Sequence, residues 1–251
     1  MQGFGAAEVE IDGREVTSGD WRSKIAKELF FLLAYHARPI SKGEIIAALW
    51  PDKEPAKAES SLKSSLFRAR RALHQDWIVY EDGRYRLAPH GQYNFDVSRF
   101  KELLKIAERM PQDASLRLRH IEEAVDLYNG DFLSEFYSEW CVSERAILER
   151  WFMQSASVVA RHHAELGNHD RAARVGDKIL SVDPYNEEAL GILLTAYAAA
   201  GDYAAGEHRY REYRNVVETE LGEQPSVNIE MVYQSLYLER AGERTESVGL
   251  K

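Results

Sequence analysis

The chain has 251 residues, 45% of them apolar and 29% charged, which suits one large globular domain or two ordinary ones and excludes a disordered chain. Its 32 Lys and Arg stand against 41 Asp and Glu, a net charge of −9 that excludes a uniformly basic nucleic-acid coat. The single cysteine, Cys141, excludes an internal disulfide, and with neither a secretory leader nor an apolar run of about 18 residues, a cytoplasmic protein with no membrane span is expected.

In chain order, residues 8–17 (EVEIDGREVT) place Val9, Ile11 and Val16 among polar residues around Asp12-Gly13. That pattern predicts a short β-hairpin with a type I′ turn. From Ser23 the period becomes helical, with Ile25, Leu29, Leu32, Leu33 and His36 on one face until Arg38-Pro39 stops it. Ser41 and Glu44 form a capping box for a second short helix built on Ile45, Ile46 and Leu49 and ended by Trp50-Pro51. A third helix is expected from about Ala56 to His74. Residues 77–87 (WIVYEDGRYRL) predict a second hairpin around Asp82-Gly83. Hairpin, three helices, hairpin is the order of a winged helix-turn-helix, and residues 1–95 are assigned to such a domain.

Charge is uneven along the chain. Residues 1–95 hold 14 basic and 13 acidic side chains, residues 96–251 hold 18 and 28, so the parts carry +1 and −10. Inside the near-neutral part, Lys57, Lys63, Arg68, Arg70 and Arg71 face Glu59 alone, +4 in fifteen residues. At about 100° per residue, Ala58, Leu62, Leu66, Ala69 and Leu73 of the third helix all lie within about 60° of one direction. The opposite face carries Lys57, Ser60, Lys63, Ser64, Phe67, Arg68 and Arg71. Long cationic donors for phosphates and guanine edges, with small residues where the helix must approach the bases, suit a major-groove helix. A helix face that is merely solvated has no reason to expose Phe67. Arg70 lies on the flank, where Glu59 or Asp76 can pair with it. In the second hairpin Arg84 and Arg86 share one side and Tyr85 and Leu87 the other. Arg84, beside the turn, is a candidate for the minor groove, and Arg86 suits the sheet edge. Arg22, Ser23 and Lys24 open the first helix, where positive charge and free amides suit a phosphate. The expected DNA-contacting set is therefore Arg22, Lys24, Lys57, Ser60, Lys63, Ser64, Phe67, Arg68, Arg71 and Arg84. With the whole basic stripe in residues 1–95, a fragment ending there is expected to keep base recognition.

After Pro89 and Gly91 strand signals almost vanish. Helices are expected at 97–109, 114–128, 142–166, 169–181, 186–200, 203–219 and 226–239. Leu166-Gly167-Asn168-His169 and Ala200-Gly201-Asp202-Tyr203 are offset by 34 residues, and Asp183-Pro184-Tyr185-Asn186 closes the first unit. A helix–turn–helix period of that length, with Ala164, Ala172, Ala173, Ala198, Ala204 and Ala205 at packing positions, predicts tetratricopeptide-like units with a concave groove. Tyr197, Tyr203, Tyr210 and Tyr213 are expected mainly between helices. The adjacent His162 and His163 cannot share a helical face, so no metal site is expected. Cys141, near Trp140 and Trp151, reads as packing rather than as a nucleophile. The phosphate-binding pattern G-x-x-x-x-G-K-[ST] does not occur in the sequence.

The segments WRSKIAKELFFLLAYHARPISKGEIIAALWPD, SSLKSSLFRARRAL and DGRYRL resemble the OmpR-type winged helix of the Streptomyces antibiotic regulatory proteins. Further on, DVSRFKELLKIAE, AVDLYNGDFL, ERAILERW and VVETELGEQPS resemble the bacterial transcriptional activator domain that follows it in that family. The resemblance implies a mainly α fold: an N-terminal winged helix with short hairpins, then an all-α tetratricopeptide-like domain over residues 96–251. It implies a transcriptional activator that binds promoter double-stranded DNA, commonly as tandem copies on direct repeats, and recruits RNA polymerase through its sigma region. Arg68 and Arg71 fall where the family's recognition helix touches DNA, with Lys63 and Ser64 one turn earlier. Three positions depart from the family pattern: Ala69 for a leucine, Ser65 for a histidine and Glu59 for an arginine, the last two removing possible phosphate contacts. Neither enzymatic activity nor a cofactor is expected. The alternative is a repeat-based adaptor or effector-sensing regulator whose winged helix binds protein and whose groove takes a peptide or effector.

Overall fold

The computed structural model describes residues 1–36, 38–74, 77–88, 93–111 and 115–238. Asp76, Pro89, Gly91 and position 239 lie outside the described residues. The fold is mainly α and divides into two compact units, Met1–Arg150 and Trp151–Lys251.

The first unit opens with the hairpin β1 (Glu10–Ile11) and β2 (Arg14–Glu15), which turns at Asp12-Gly13 as the alternation requires. A single turn, α1 (Ser18–Trp21), follows; the sequence pattern did not suggest it. Thr17 and Asp20 cap it reciprocally, and Trp21 is buried. Next come α2 (Lys24–His36), β3 (Ile40–Ser41), α3 (Lys42–Leu49) and α4 (Pro55–Leu73). The Ser41–Glu44 capping box forms at the start of α3. Helix α4 starts where Pro55 takes the first position, which needs no N–H, and Glu54 accepts from the Ala56 N–H at 3.2 Å. It ends at His74 in the left-handed region. The wing is β4 (Ile78–Glu81) and β5 (Arg84–Leu87), and β3 joins its edge in the order β3-β5-β4, with Ile40 opposite Tyr85. A two-residue strand such as β3 has no periodicity of its own and is fixed only by its partner.

This unit does not end at residue 95. Helices α5 (Asp96–Glu108) and α6 (Ser115–Leu127) and the segment after them belong to it. Phe4 packs its ring against Phe100 and Tyr128 at 5.2 and 4.8 Å, and Phe31 lies 6.0 Å from Phe95 and 6.5 Å from Phe136. The Gly5 N–H donates to the Asp131 carbonyl at 3.0 Å, and the Leu133 N–H to the Gly3 carbonyl at 2.7 Å. Glu28, only 6% exposed, accepts from the Ser138 hydroxyl and from Trp140 Nε1. Lys27 reaches Glu135 at 2.7 Å. The change in charge and strand content near residue 95 is therefore not the edge of a packing unit. A fragment ending there lacks the packing partners of Phe4 and Phe31 and the Ser138 contact of Glu28, which the charge distribution does not reveal.

The second unit begins within α7 (Glu139–Glu165) and continues through α8 (His169–Val182), α9 (Glu187–Ala200) and α10 (Tyr203–Val216). A π-helical turn (Val217–Leu221) extends α10, and α11 (Val227–Tyr233) runs into a second one (Gln234–Leu238). Gly167 and Gly201, 34 residues apart, both stand at φ above +70° between paired helices. That left-handed position costs glycine nothing and other residues about 1 kcal/mol or more. The helical repeat read from the sequence is thus present. Its last helix covers tyrosines expected to pack between helices: Tyr210 stacks on Tyr233 at 3.9 Å, and the Tyr237 hydroxyl donates to the Leu194 carbonyl at 2.6 Å. Gly206 leaves room for this, since a Cβ there would fall 2.0 Å from the Tyr237 hydroxyl.

Candidate nucleic-acid interface

The site grows from the amphipathic division of α4. Ala58, Leu62, Leu66, Ala69 and Leu73 are buried, whereas Lys57, Ser60, Lys63, Ser64, Phe67, Arg68 and Arg71 are all exposed. The apolar stripe holds the helix against α1, α2 and α3, so the basic stripe is turned to solvent by the same residues that anchor it.

The turn between α1 and α2 adds to that face. Arg22 caps α1 at φ 52, donating its N–H to the Ser18 carbonyl. Its side chain joins Lys63, Ser64, Phe67, Arg68 and Arg71 around one hollow of about 440 Å3, with Asp20 and Trp21 on the same wall. Asp20 is held by Thr17, whose hydroxyl and N–H keep its carboxyl below the usual range, and by Arg14 at 3.1 Å. Among the described residues no carboxylate forms an ion pair within 4 Å with Arg22, Lys63, Arg68 or Arg71, although Lys63 helps Lys42 to hold the Glu59 carboxyl below its usual range. Six of the ten expected residues therefore converge.

The other four do not line this hollow. Lys57 and Ser60 lie on the earlier turns of the same exposed face. Lys24 holds its ammonium over the rings of Phe136 and Tyr137, at 5.7 and 5.3 Å. Arg84 lies on the wing, donating to the Pro39 carbonyl at 3.4 Å with Glu44 3.6 Å away. The Ser41 N–H and hydroxyl, and then Arg38, hold the Glu44 carboxyl down to about 2, so Arg84 faces a permanent anion near neutral pH. Arg86 pairs with Glu81 at 2.9 Å along the sheet, the edge-covering use of charge.

Two readings need correction. Arg70 does not pair with Glu59; its guanidinium donates to the Ile78 carbonyl at 2.9 and 3.3 Å and ties α4 to the wing. Glu59 is taken by Lys42 at 2.5 Å, which holds the Glu59 carboxyl below its usual range. Ser65 is 2% exposed, so it faces the core, and a serine in place of a histidine there removes no phosphate contact from the exposed face. Sequence reasoning missed Asp20 and Trp21 in the hollow. The Thr17-x-x-Asp20 spacing was the available signal for the turn that brings them there. It also missed the exposed wing residue Tyr80, packed on Tyr85 at 4.6 Å.

Elsewhere, Cys141 is buried, and burial pushes its thiol up to about 12, consistent with packing. Tyr213 donates to Glu187 at 2.9 Å, and Tyr203 meets Tyr237 edge-on at 5.7 Å. No helix among the described residues is long and apolar enough to cross a membrane.

Comparison with known proteins places the chain in a family. The bacterial transcriptional activator domain matches residues 95–237. The chain is 23% identical over 227 residues to the regulatory protein AfsR of Streptomyces coelicolor, covering 90% of this chain and 23% of that protein. The Streptomyces griseus AfsR is 25% identical over 207 residues, covering 82% and 21%. The chain thus spans under a quarter of the length of these relatives. It is 21% identical over 243 residues to the transcriptional regulatory protein MoaR1 of Mycobacterium tuberculosis, covering 93% of this chain and 77% of that protein. A solved structure of Mycobacterium tuberculosis EmbR, in complex with a low-affinity phosphopeptide, shares the fold at a TM-score of 0.60 and 19% identity, over 94% of this chain and 64% of that one. The chain belongs to the bacterial transcriptional activator domain family of transcriptional regulators, in the arrangement of the Streptomyces antibiotic regulatory proteins.

Proposed function

We propose that the chain is a transcriptional activator that binds promoter DNA by laying the exposed face of α4 in the major groove. The supporting observation is the hollow between the α1–α2 turn and α4, where Arg22, Lys63, Arg68 and Arg71 present cationic groups with no carboxylate of the described residues within ion-pair distance. Uncommitted donors on a convex helix, beside the small side chains of Ser60 and Ser64, match what phosphates and base edges require. Arg84 on the wing supplies a further phosphate or minor-groove contact once it turns from Glu44. Residues 96–251, at net −10, are repelled by phosphate and are assigned the protein contacts: RNA polymerase, through its sigma region, and a second copy bound on a direct repeat. The protein acts in the cytoplasm, where both partners are.

Arg22, Lys24, Lys57, Lys63, Arg68, Arg71 and Arg84 offer roughly four to six simultaneous phosphate contacts per bound copy. Titration of duplex DNA at several salt concentrations is then expected to give a slope of log K against log salt of about −4 to −5. A slope near zero would leave the basic face merely solvated and would favour a protein-binding winged helix. Comparing transcription by the full chain with that by Met1–Arg150 separates DNA binding from activation: equal activity would take the assigned protein contacts away from residues 151–251.

A further inference from the structure

We propose that Phe67 reads a thymine 5-methyl group and so sets one base of the recognised sequence; this rests on the reading of α4 as a major-groove helix. Phe67 is 66% exposed, in the middle of a face that is otherwise cationic and hydroxylic. It makes no ring contact among the described residues, although the structure pairs most of its other aromatic rings. Keeping such a ring in water forgoes its burial and adds nothing to the fold.

Its place on the helix identifies the ligand chemistry. At about 100° per residue, Ser60, Lys63 and Arg71 lie within about 40° of Phe67, and Ser64 within about 60°. Lys63 and Arg71 stand one turn before and one turn after the ring and suit phosphates or guanine edges. Ser60 and Ser64 are too short to hold the helix away from the base edges, so the ring beside them is the apolar group that can reach those edges. The major groove offers a single apolar feature, the methyl group of thymine; its other edges are donors and acceptors. A ring pressed against the amino group of cytosine would strip that donor of water without replacing the hydrogen bond. The same ring against thymine buries a methyl group and leaves polar edges free. Phe67 thus favours thymine by attraction and disfavours cytosine by desolvation.

The test uses the full chain and two random duplex libraries, one made with thymidine and one with deoxyuridine, which lacks only the methyl group. From the first, the wild-type chain is expected to enrich a motif with thymine at one fixed position. In the second, preference for the corresponding pair should fall by about 3–10-fold, as expected for one buried methyl group. Phe67→Ala should lose the same preference in the thymidine library, give the same motif from both libraries, and keep every other position. Phe67→Leu, which retains apolar bulk, should keep part of the preference. If Phe67→Ala enriches the wild-type motif with thymine intact, the proposal is overturned while DNA binding stands. If the wild-type chain enriches nothing from either library, the DNA-binding reading falls and this inference falls with it.

Discussion

A fragment ending at residue 95 is expected to be unfolded in water at room temperature, whereas Met1–Arg150 is expected to fold cooperatively and to bind DNA. Ending the chain at residue 95 removes Phe100, Tyr128, Phe132, Phe136 and Trp140, the partners of Phe4, Phe31 and Tyr35. Phe4, Phe31 and Tyr35 are nearly covered in the intact chain. Re-exposing three such side chains costs about 5–9 kcal/mol at 1.5–3 kcal/mol each. The cut also removes Ser138 and Trp140, the hydrogen-bond partners of Glu28, so that this tie between α2 and the later segment is lost. A domain of this size has about 5–15 kcal/mol of stability in total. Circular dichroism and denaturant melts of the two fragments check this. A sharp transition from the shorter fragment, with unchanged DNA affinity, would show that the seam between α2 and residues 131–140 is dispensable.

Adjacent arginines on α4 are expected to behave in opposite ways. Arg68→Ala and Arg71→Ala should each weaken specific DNA binding by about 1–3 kcal/mol, roughly 5–150-fold, and barely move the melting temperature. Both are exposed, and both project from the face opposite the buried stripe. Arg70→Ala should lower stability by about 1–3 kcal/mol, because it leaves the Ile78 carbonyl without its two guanidinium hydrogen bonds. Its effect on DNA should follow from the loosened wing alone. Binding curves and thermal melts on the three variants separate these outcomes. A loss of stability in Arg68→Ala with DNA binding intact would mean that the facing of α4 is wrong.

The contrast between Arg68 and Arg70 shows where the sequence is legible. The facing of α4 follows from one strong period: five apolar residues repeat at 3.6-residue spacing and fix everything opposite them. The capping box at Ser41 and Glu44, the turns at Asp12-Gly13 and Asp82-Gly83, and the repeat glycines Gly167 and Gly201 are equally local, each decided within a few residues. Other features depend on partners far along the chain. Arg70 is chemically indistinguishable from Arg68 until β4 places the Ile78 carbonyl beside it. Glu28 reads as a solvent-facing helix residue until Ser138 and Trp140 arrive from 110 and 112 positions away. The family domain begins at residue 95, but the packing unit runs on to Arg150, and that difference is invisible in the sequence for the same reason. Charge and strand content change at residue 95, but Phe4 finds its aromatic partners beyond it. In the second unit the tyrosines of α10 were readable as packing groups, while their stacking partners, Tyr233 and Tyr237, depend on how the last helix returns to α9 and α10.

Arginine modification by phenylglyoxal, followed residue by residue by mass spectrometry with and without duplex DNA, tests the assignment of α4 most directly. The expected result is protection of Arg22, Arg68 and Arg71 by DNA. Arg70 should stay slow to react in both conditions because its guanidinium is held by the Ile78 carbonyl. Arg211 and Arg214 of α10 should react equally in both. Equal reactivity of Arg68 and Arg71 with and without bound DNA would contradict the account.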